Sequence, residues 1–304
     1  MGLAIIFSGQ GNQYPEMYAR FQQELNLVDL DSVSAATSVA ILPRVNLDND
    51  AIFLNQYAQP LIAGYEYLVW QKLKDILPAP VAMAGYSLGE ITAIAAATNL
   101  TLEELLKLTK MRAELMYTAR PSGLLAVSGL HLSHITALLE QTSCYMAIRS
   151  SLQNFIVGGY EGNLAQLIAE LSKLPGVIHY QYLKVEVAAH TPLLNRASIE
   201  FHEIIRQYYG LKLQTRIVSS IDASVQYYIE PALDNAAKQL SSMVNFEQLM
   251  QVLFELGATT ILEIGPGKAI QNIIRQSGLP VKIRSIDDFN TLANVAVWVE
   301  KSTL

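Results

Sequence analysis

Gly85-Tyr-Ser87-Leu-Gly89 fits the pattern G-x-S-x-G. In that pattern small residues let a strand and a helix meet at a strained turn, and the serine is projected above the carboxyl end of the strand. Backbone N–H groups at the start of the following helix lack intrahelical partners and can hold a developing oxyanion. The context is right for such a turn: the apolar run Val81-Ala-Met-Ala-Gly-Tyr86 precedes Ser87, and the Ala-rich stretch Ile91 to Thr98 follows it. Five letters alone also fit an ordinary glycine-bounded turn. A serine nucleophile needs a base, and the chain has five histidines, at 131, 134, 179, 190 and 202. His131 and His134 read as surface residues at a helix start, and His202, beside Glu203, reads as a solvated mid-helix residue. His190 lies in Val187-Ala-Ala-His-Thr-Pro-Leu-Leu194, between a predicted strand and a Pro-initiated helix. Loops at such junctions commonly carry catalytic groups, so His190 is the best candidate base, although a lone loop histidine is more often structural.

Other motifs argue against other chemistry. An α/β-hydrolase runs Ser, then acid, then His; here the last histidine is residue 202 of 304, which weakens that reading. Gly265-Pro-Gly-Lys268 lacks the first glycine of a phosphate-binding loop, because position 262 is Leu, and Gly9-Gln-Gly11 lacks the third glycine of a dinucleotide fingerprint, because position 14 is Tyr. The histidines are scattered and Cys144 is the single cysteine. No metal site, no nucleotide cofactor and no internal disulfide are expected.

The elements that must position Ser87 follow from hydrophobic patterning. Hydrophobic residues make up 51% of the chain and charged residues 16%, against about 25% charged in an average soluble domain. That balance excludes disorder as the main state. A net charge of −6 argues against a nucleic-acid-binding surface. Residues 76–102 are apolar enough to raise a membrane span, but Pro78, Pro80 and the central Glu90 oppose it, since a central acid costs about 3 kcal/mol. With no signal-like segment at Met1–Gln10, a soluble, cytoplasmic protein is expected. Leu3–Ser8, Val81–Tyr86, Thr260–Ile264 and Val281–Ile286 read as buried strands, each tied to a turn or helix. Thr101-Leu-Glu-Glu104 has the capping-box pattern and should open a helix through about Tyr117. Between 121 and 187 the rhythm changes to βαββαβ, the ferredoxin-like order. The expected fold class is α/β: a mainly parallel sheet covered by helices, an α/β-hydrolase-like core of 1–120 and 188–304, with 121–187 inserted as a small α+β subdomain.

Six short motifs stand in order along the chain: Phe7-Ser-Gly-Gln10-Gly-Asn-Gln13, Gly85-Tyr-Ser-Leu-Gly-Glu90, Met111-Arg112-Ala-Glu-Leu-Met116, Ala189-His190-Thr-Pro-Leu-Leu194, Gln239-Leu240 with Val244, and Glu263-Ile-Gly-Pro-Gly-Lys268. Together they resemble the malonyl-CoA:acyl-carrier-protein transacylase family. A closer resemblance is to the malonate decarboxylase epsilon subunit. It rests on Tyr86 in place of the family's usual His, Ala147-Ile-Arg149 with Asn154-Phe-Ile-Val-Gly-Gly159, Ser220-Ile-Asp222 and Arg284-Ser-Ile-Asp-Asp-Phe289. In that subunit the acceptor is a small carrier protein with a phosphoribosyl-dephospho-CoA arm.

The resemblance implies roles. Ser87 attacks the thioester of malonyl-CoA, His190 takes its proton, and the arm of an acyl carrier protein removes the acyl group in a ping-pong sequence. Backbone N–H groups of Gln10 and Leu88 form the oxyanion hole, and Gln239 orients His190 in place of an acid. Arg112 reads the free malonyl carboxylate, because a guanidinium fork matches it in two parallel hydrogen bonds. Without the family, Arg112 would read as a solvated helix charge paired with Glu104 or Glu114. Tyr86 is expected to pack behind the nucleophile. Ala189 is small, so methylmalonyl transfer stays open. The implied partners are malonyl-CoA and an acyl carrier protein, with other malonate decarboxylase subunits if the closer resemblance holds. A serine thioesterase and a non-catalytic carrier-docking subunit are the rival readings.

Overall fold

The computed structural model describes residues 2–118, 120–176 and 178–303. The chain opens with β1 (Gly2–Phe7), whose five residues after Gly2 are fully buried. Helices α1 (Leu27–Thr37) and α2 (Asn55–Leu73) follow. Next come β2 (Ala82–Gly85), α3 (Gly89–Thr98) and α4 (Leu102–Leu115). The capping box opens α4 as expected: Thr101 Oγ1 accepts from Glu104 N–H at 3.2 Å, and Thr101 N–H donates to Glu104 Oε2 at 2.8 Å. The helix ends at Leu115, one turn-end short of the expected Tyr117.

The inserted segment runs β3 (Ser122–Ser128), α5 (Leu132–Thr142), β4 (Tyr145–Arg149), β5 (Asn154–Tyr160), α6 (Glu161–Leu171) and β6 (His179–Tyr182). That is the βαββαβ order, and the strands pair as β6-β3-β5-β4. One face of this sheet buries Leu125, Val127, Phe155 and Val157 against Ile135, Leu139, Leu164 and Leu167 of α5 and α6. The last strand is short. β6 is an exposed edge, and beyond Tyr182 the chain turns inward to bury Val187 and Ala188.

The chain returns through α7 (Asn195–Ile205), β7 (Ile217–Val218), β8 (Val225–Gln226), α8 (Ile229–Lys238), β9 (Val244–Asn245) and α9 (Phe246–Glu255). It closes with β10 (Ala258–Ile264), α10 (Ala269–Ser277), β11 (Lys282–Ser285) and α11 (Leu292–Thr303). The large sheet has the order β11-β10-β1-β2-β7-β8, parallel throughout except for β8. β9 pairs with β4, so a strand from the returning chain joins the small sheet.

Register explains where a site can form. Phe7 is level with both Gly85 and Ile264, so three strands end together. The loops after them, from Ser8, Tyr86 and Gly265, therefore converge at one edge, the usual place for a ligand in a parallel sheet. The glycines are demanded by this convergence. A Cβ on Gly89 would stand 2.1 Å from the Phe7 carbonyl oxygen, and one on Gly85 would stand 1.9 Å from Glu90 N. Beside this edge, Glu263 caps α10 by accepting from Ile270 N–H at 3.0 Å and Gln271 N–H at 2.9 Å. Among the described residues no helix is long and apolar enough to cross a membrane, and no cluster of metal-ligating side chains occurs.

Candidate active site

Ser87 sits at the elbow between β2 and α3 with φ of 59°, the left-handed conformation of a sharp turn. Its Oγ lies 2.7 Å from His190 Nε2, across 103 residues of sequence. The ring's other nitrogen, Nδ1, lies 2.7 Å from the main-chain oxygen of Gln239. A carbonyl only accepts, so Nδ1 carries the proton and Nε2 is left as the acceptor for the serine hydroxyl. That is the tautomer a base needs. His190 is also pinned at its backbone, where N–H donates to the Leu240 carbonyl at 2.9 Å. Burial, opposed by the Gln239 hydrogen bond and helped by the Arg112 charge, lowers its pKa to about 4. The imidazole is therefore neutral at neutral pH.

The other histidines stay away from Ser87. His131, His134 and His179 are exposed, and His202 pairs with Asp234 at 2.9 Å. The expected orienting role of Gln239 falls to its main-chain oxygen, not its amide.

The loop after β1 packs on the elbow. A Cβ on Gly9 would meet the Tyr86 carbonyl at 2.8 Å and Ser87 Cβ at 3.5 Å, which brings Gln10 beside the serine. The Gln10 side chain is turned away and donates to Asn55 Oδ1 at 2.8 Å. Gly89 N–H and Glu90 N–H are used within the turn, toward the carbonyls of Tyr86 and Ser87. The Gln10 and Leu88 N–H groups take no hydrogen bond among the described residues. They are the two donors expected from the sequence.

Arg112 is not a solvated helix charge. It is 1% exposed and is among the largest fully buried side chains. Glu104, offered above as a surface partner, is engaged in the capping box instead. Arg112 Nη1 donates to Gln59 Oε1 at 2.8 Å and Nη2 to Gln239 Oε1 at 3.3 Å, while Nε has no partner. Burial lowers its pKa to about 10, against the opposing pull of Glu90. A buried cation that meets two neutral amides and keeps an open donor is suited to receiving an anion.

Three residues of this arrangement had no site role in the sequence reading: Gln59, which it did not single out, and Glu90 and Ser220, which it quoted within motifs. Gln59 is fully buried in α2, and its Nε2 lies 3.3 Å from Met116 Sδ. Glu90 accepts from Ser220 Oγ at 2.5 Å and from Gln239 Nε2 at 2.6 Å. The available signal was composition: a Gln at 59 and a Glu at 90 inside otherwise apolar runs must be satisfied by something. Tyr86 stacks edge-on against Phe246, with ring centroids 5.0 Å apart. It also lines a cleft of about 610 Å³ with Ser128, Ser150, Asn154, Tyr180 and Gln276.

The family model for an acyl transferase domain matches residues 5–289. The chain belongs to the acyl transferase domain family. It is 27% identical over 310 residues to a malonyl CoA-acyl carrier protein transacylase of Staphylococcus aureus (strain MRSA252), covering 98% of each chain. It is 26% identical over 301 residues to the protein of the same name from Bacillus subtilis (strain 168), covering 95% of each. The crystal structure of malonyl-CoA:acyl carrier protein transacylase from Helicobacter pylori superposes on this acyl transferase domain with a TM-score of 0.89 at 22% identity, covering 99% of each chain. At that identity the likeness speaks for the fold.

Proposed function

We propose that the protein transfers a malonyl group from malonyl-CoA to the thiol arm of an acyl carrier protein through an ester on Ser87. The observation that carries this reading is the 2.7 Å contact between Ser87 Oγ and the acceptor nitrogen of His190, beside a buried guanidinium with an open donor. In the first half-reaction the Ser87 oxygen attacks the thioester carbon and His190 Nε2 takes the hydroxyl proton. The carbonyl oxygen becomes an oxyanion between the Gln10 and Leu88 N–H groups, each worth roughly 3 kcal/mol. The carbon–sulfur bond then breaks and His190 returns the proton to the departing CoA thiolate. In the second half the carrier thiol gives its proton to His190, attacks the ester, and Ser87 leaves with that proton. Arg112 holds the malonyl carboxylate throughout, which favours malonyl over acetyl.

The finer reading is the malonate decarboxylase epsilon role. It is favoured by where its distinguishing residues fall: Tyr86 and Asn154 line the same cleft beside the elbow, together with Ser150. An arm passing to Ser87 through that cleft would meet them. The test is a transfer assay with labelled malonyl-CoA and two carriers, one with a plain phosphopantetheine arm and one with a phosphoribosyl-dephospho-CoA arm. Transfer to the second alone supports the epsilon role, and transfer to the first supports a fatty-acid or polyketide carrier. Rapid release of free malonate with transfer to neither supports a thioesterase. Absence of labelling with retained carrier binding supports a docking subunit.

A further inference from the structure

Glu90 is a buried acid to which acyl transfer gives no task. It stands on the first turn of α3 and is fully buried. Its Oε2 accepts from Gln239 Nε2 at 2.6 Å, from Ser220 Oγ at 2.5 Å and from Ser220 N–H at 3.4 Å, and its Oε1 has no partner. Gln239 Nε2 also approaches Ser220 Oγ at 2.8 Å and the Ser87 carbonyl at 3.1 Å. At the other end of that amide, Oε1 accepts from Arg112 Nη2 at 3.3 Å. A carboxylate cannot donate and a guanidinium cannot accept. Only one orientation of the Gln239 amide satisfies both ends: Oε1 faces Arg112, while Nε2 is held by the acid at 2.6 Å and, at the longer distance of 3.1 Å, by the Ser87 carbonyl.

The arrangement also keeps the two charges apart. A direct ion pair would occupy the guanidinium fork with a permanent carboxylate. The interposed amide keeps the counter-charge near while Nε stays open. Resting on the malonyl-transfer reading above, we propose that Glu90 is a positioning residue for acyl selectivity: it locks the Gln239 amide so that Arg112 presents open donors to the acyl carboxylate. His190 is held by the Gln239 main chain and not by the amide, so the base is insulated from this lock. A glutamine at position 90 both accepts and donates. It therefore loosens the lock, leaving the Ser87 carbonyl and Ser220 Oγ as the acceptors that hold Nε2, and the Gln239 oxygen is freer to move against the guanidinium.

The experiment measures acyl-enzyme formation from malonyl-CoA and from acetyl-CoA, in the unaltered protein, Glu90→Gln and Ser220→Ala, across pH. Glu90→Gln should lower malonyl kcat/KM about tenfold at pH 8 while acetyl kcat/KM changes less than about threefold. Ser220→Ala keeps the charge and removes the hydroxyl that donates to Glu90 and accepts from Gln239, and should lower the malonyl-to-acetyl ratio about threefold. The ionisable groups facing this network are Arg112 from α4, His190 from the loop before α7 and Asp222, which reaches Ser219 in the turn after β7; Ser219, Ser220 and Gln239 are neutral. Burial raises the Glu90 carboxyl to about 7, and His190 titrates near 4. The malonyl-to-acetyl ratio of the unaltered protein should therefore fall below about pH 7, and that of Glu90→Gln should be low and flat. Equal losses for both acyl groups, or an unchanged ratio in Ser220→Ala and Glu90→Gln, would overturn the proposal. Absence of malonyl transfer by the unaltered protein would overturn the function reading and this inference with it.

Discussion

Replacing Arg112 by alanine tests the carboxylate clamp. The guanidinium is buried and donates to two amide oxygens, of Gln59 and Gln239. It has at least one further donor, Nε, without a partner. A malonyl carboxylate held there gains about two charge-assisted hydrogen bonds, each worth about 1.5–3 kcal/mol. Their loss, about 3–6 kcal/mol, corresponds to a fall of about 10²- to 10⁴-fold in malonyl kcat/KM at about 1.4 kcal/mol per tenfold. Acetyl-CoA has no carboxylate to lose, so its kcat/KM should stay within about threefold. Arg112→Lys keeps the charge and loses the fork, and should fall between the two. The assay is single-turnover acylation with each acyl-CoA, alongside a thermal melt, because alanine also leaves Gln59 Oε1 and Gln239 Oε1 unpaired. A properly folded Arg112→Ala that loses malonyl and acetyl transfer equally would refute the clamp.

His190→Ala should slow acylation of Ser87 by about 10²- to 10⁴-fold, read as the burst of CoA release; an undiminished burst would remove His190 from the mechanism. Stability should respond to pH through the buried acids. Burial raises Glu90 and Glu263 from 4.5 to about 7, so the folded state keeps protons that the unfolded chain has released. Their contribution is full below about pH 4.5 and is lost as pH rises through 7. His190, lowered to about 4, acts in the opposite sense, losing its contribution as pH falls from 6.5 to 4. Glu90→Gln removes one titrating acid. Between pH 5.5 and 8 it should therefore gain about 2 kcal/mol relative to the unaltered protein, at about 1.4 kcal/mol per unit. Urea unfolding at the two pH values measures this, and parallel pH dependences would contradict a buried titrating Glu90.

The parts of the fold legible in the sequence are those where local pattern and tertiary role agree. β1 and β2 are short continuous apolar runs because both faces of a parallel sheet are covered, and β10 keeps Ile261, Leu262 and Ile264 for the same reason. The ferredoxin-like insert showed itself because α5 and α6 each bury one face only, so their periodicity is strong. Helix α2 was not legible for the opposite reason: it is buried on every side from Ala58 to Trp70, so it has no polar stripe. That helix carries Gln59 and Asn55, and the network around Arg112 was hidden with it. His190 and Ser87 could be named separately, but nothing in their spacing of 103 residues states that they touch. The main-chain role of Gln239 was equally invisible, because a backbone carbonyl leaves no trace in residue type.

The claim on which the account depends is that the Ser87 hydroxyl becomes an ester. Its most direct measurement is the mass of the protein seconds after mixing with malonyl-CoA, with the modified peptide sequenced. The expected result is a gain of one malonyl group per chain, carried by the peptide containing Ser87, absent from Ser87→Ala and discharged when a carrier thiol is added. A malonyl group found on another residue, or an unmodified chain that still passes malonyl to the carrier, would contradict it.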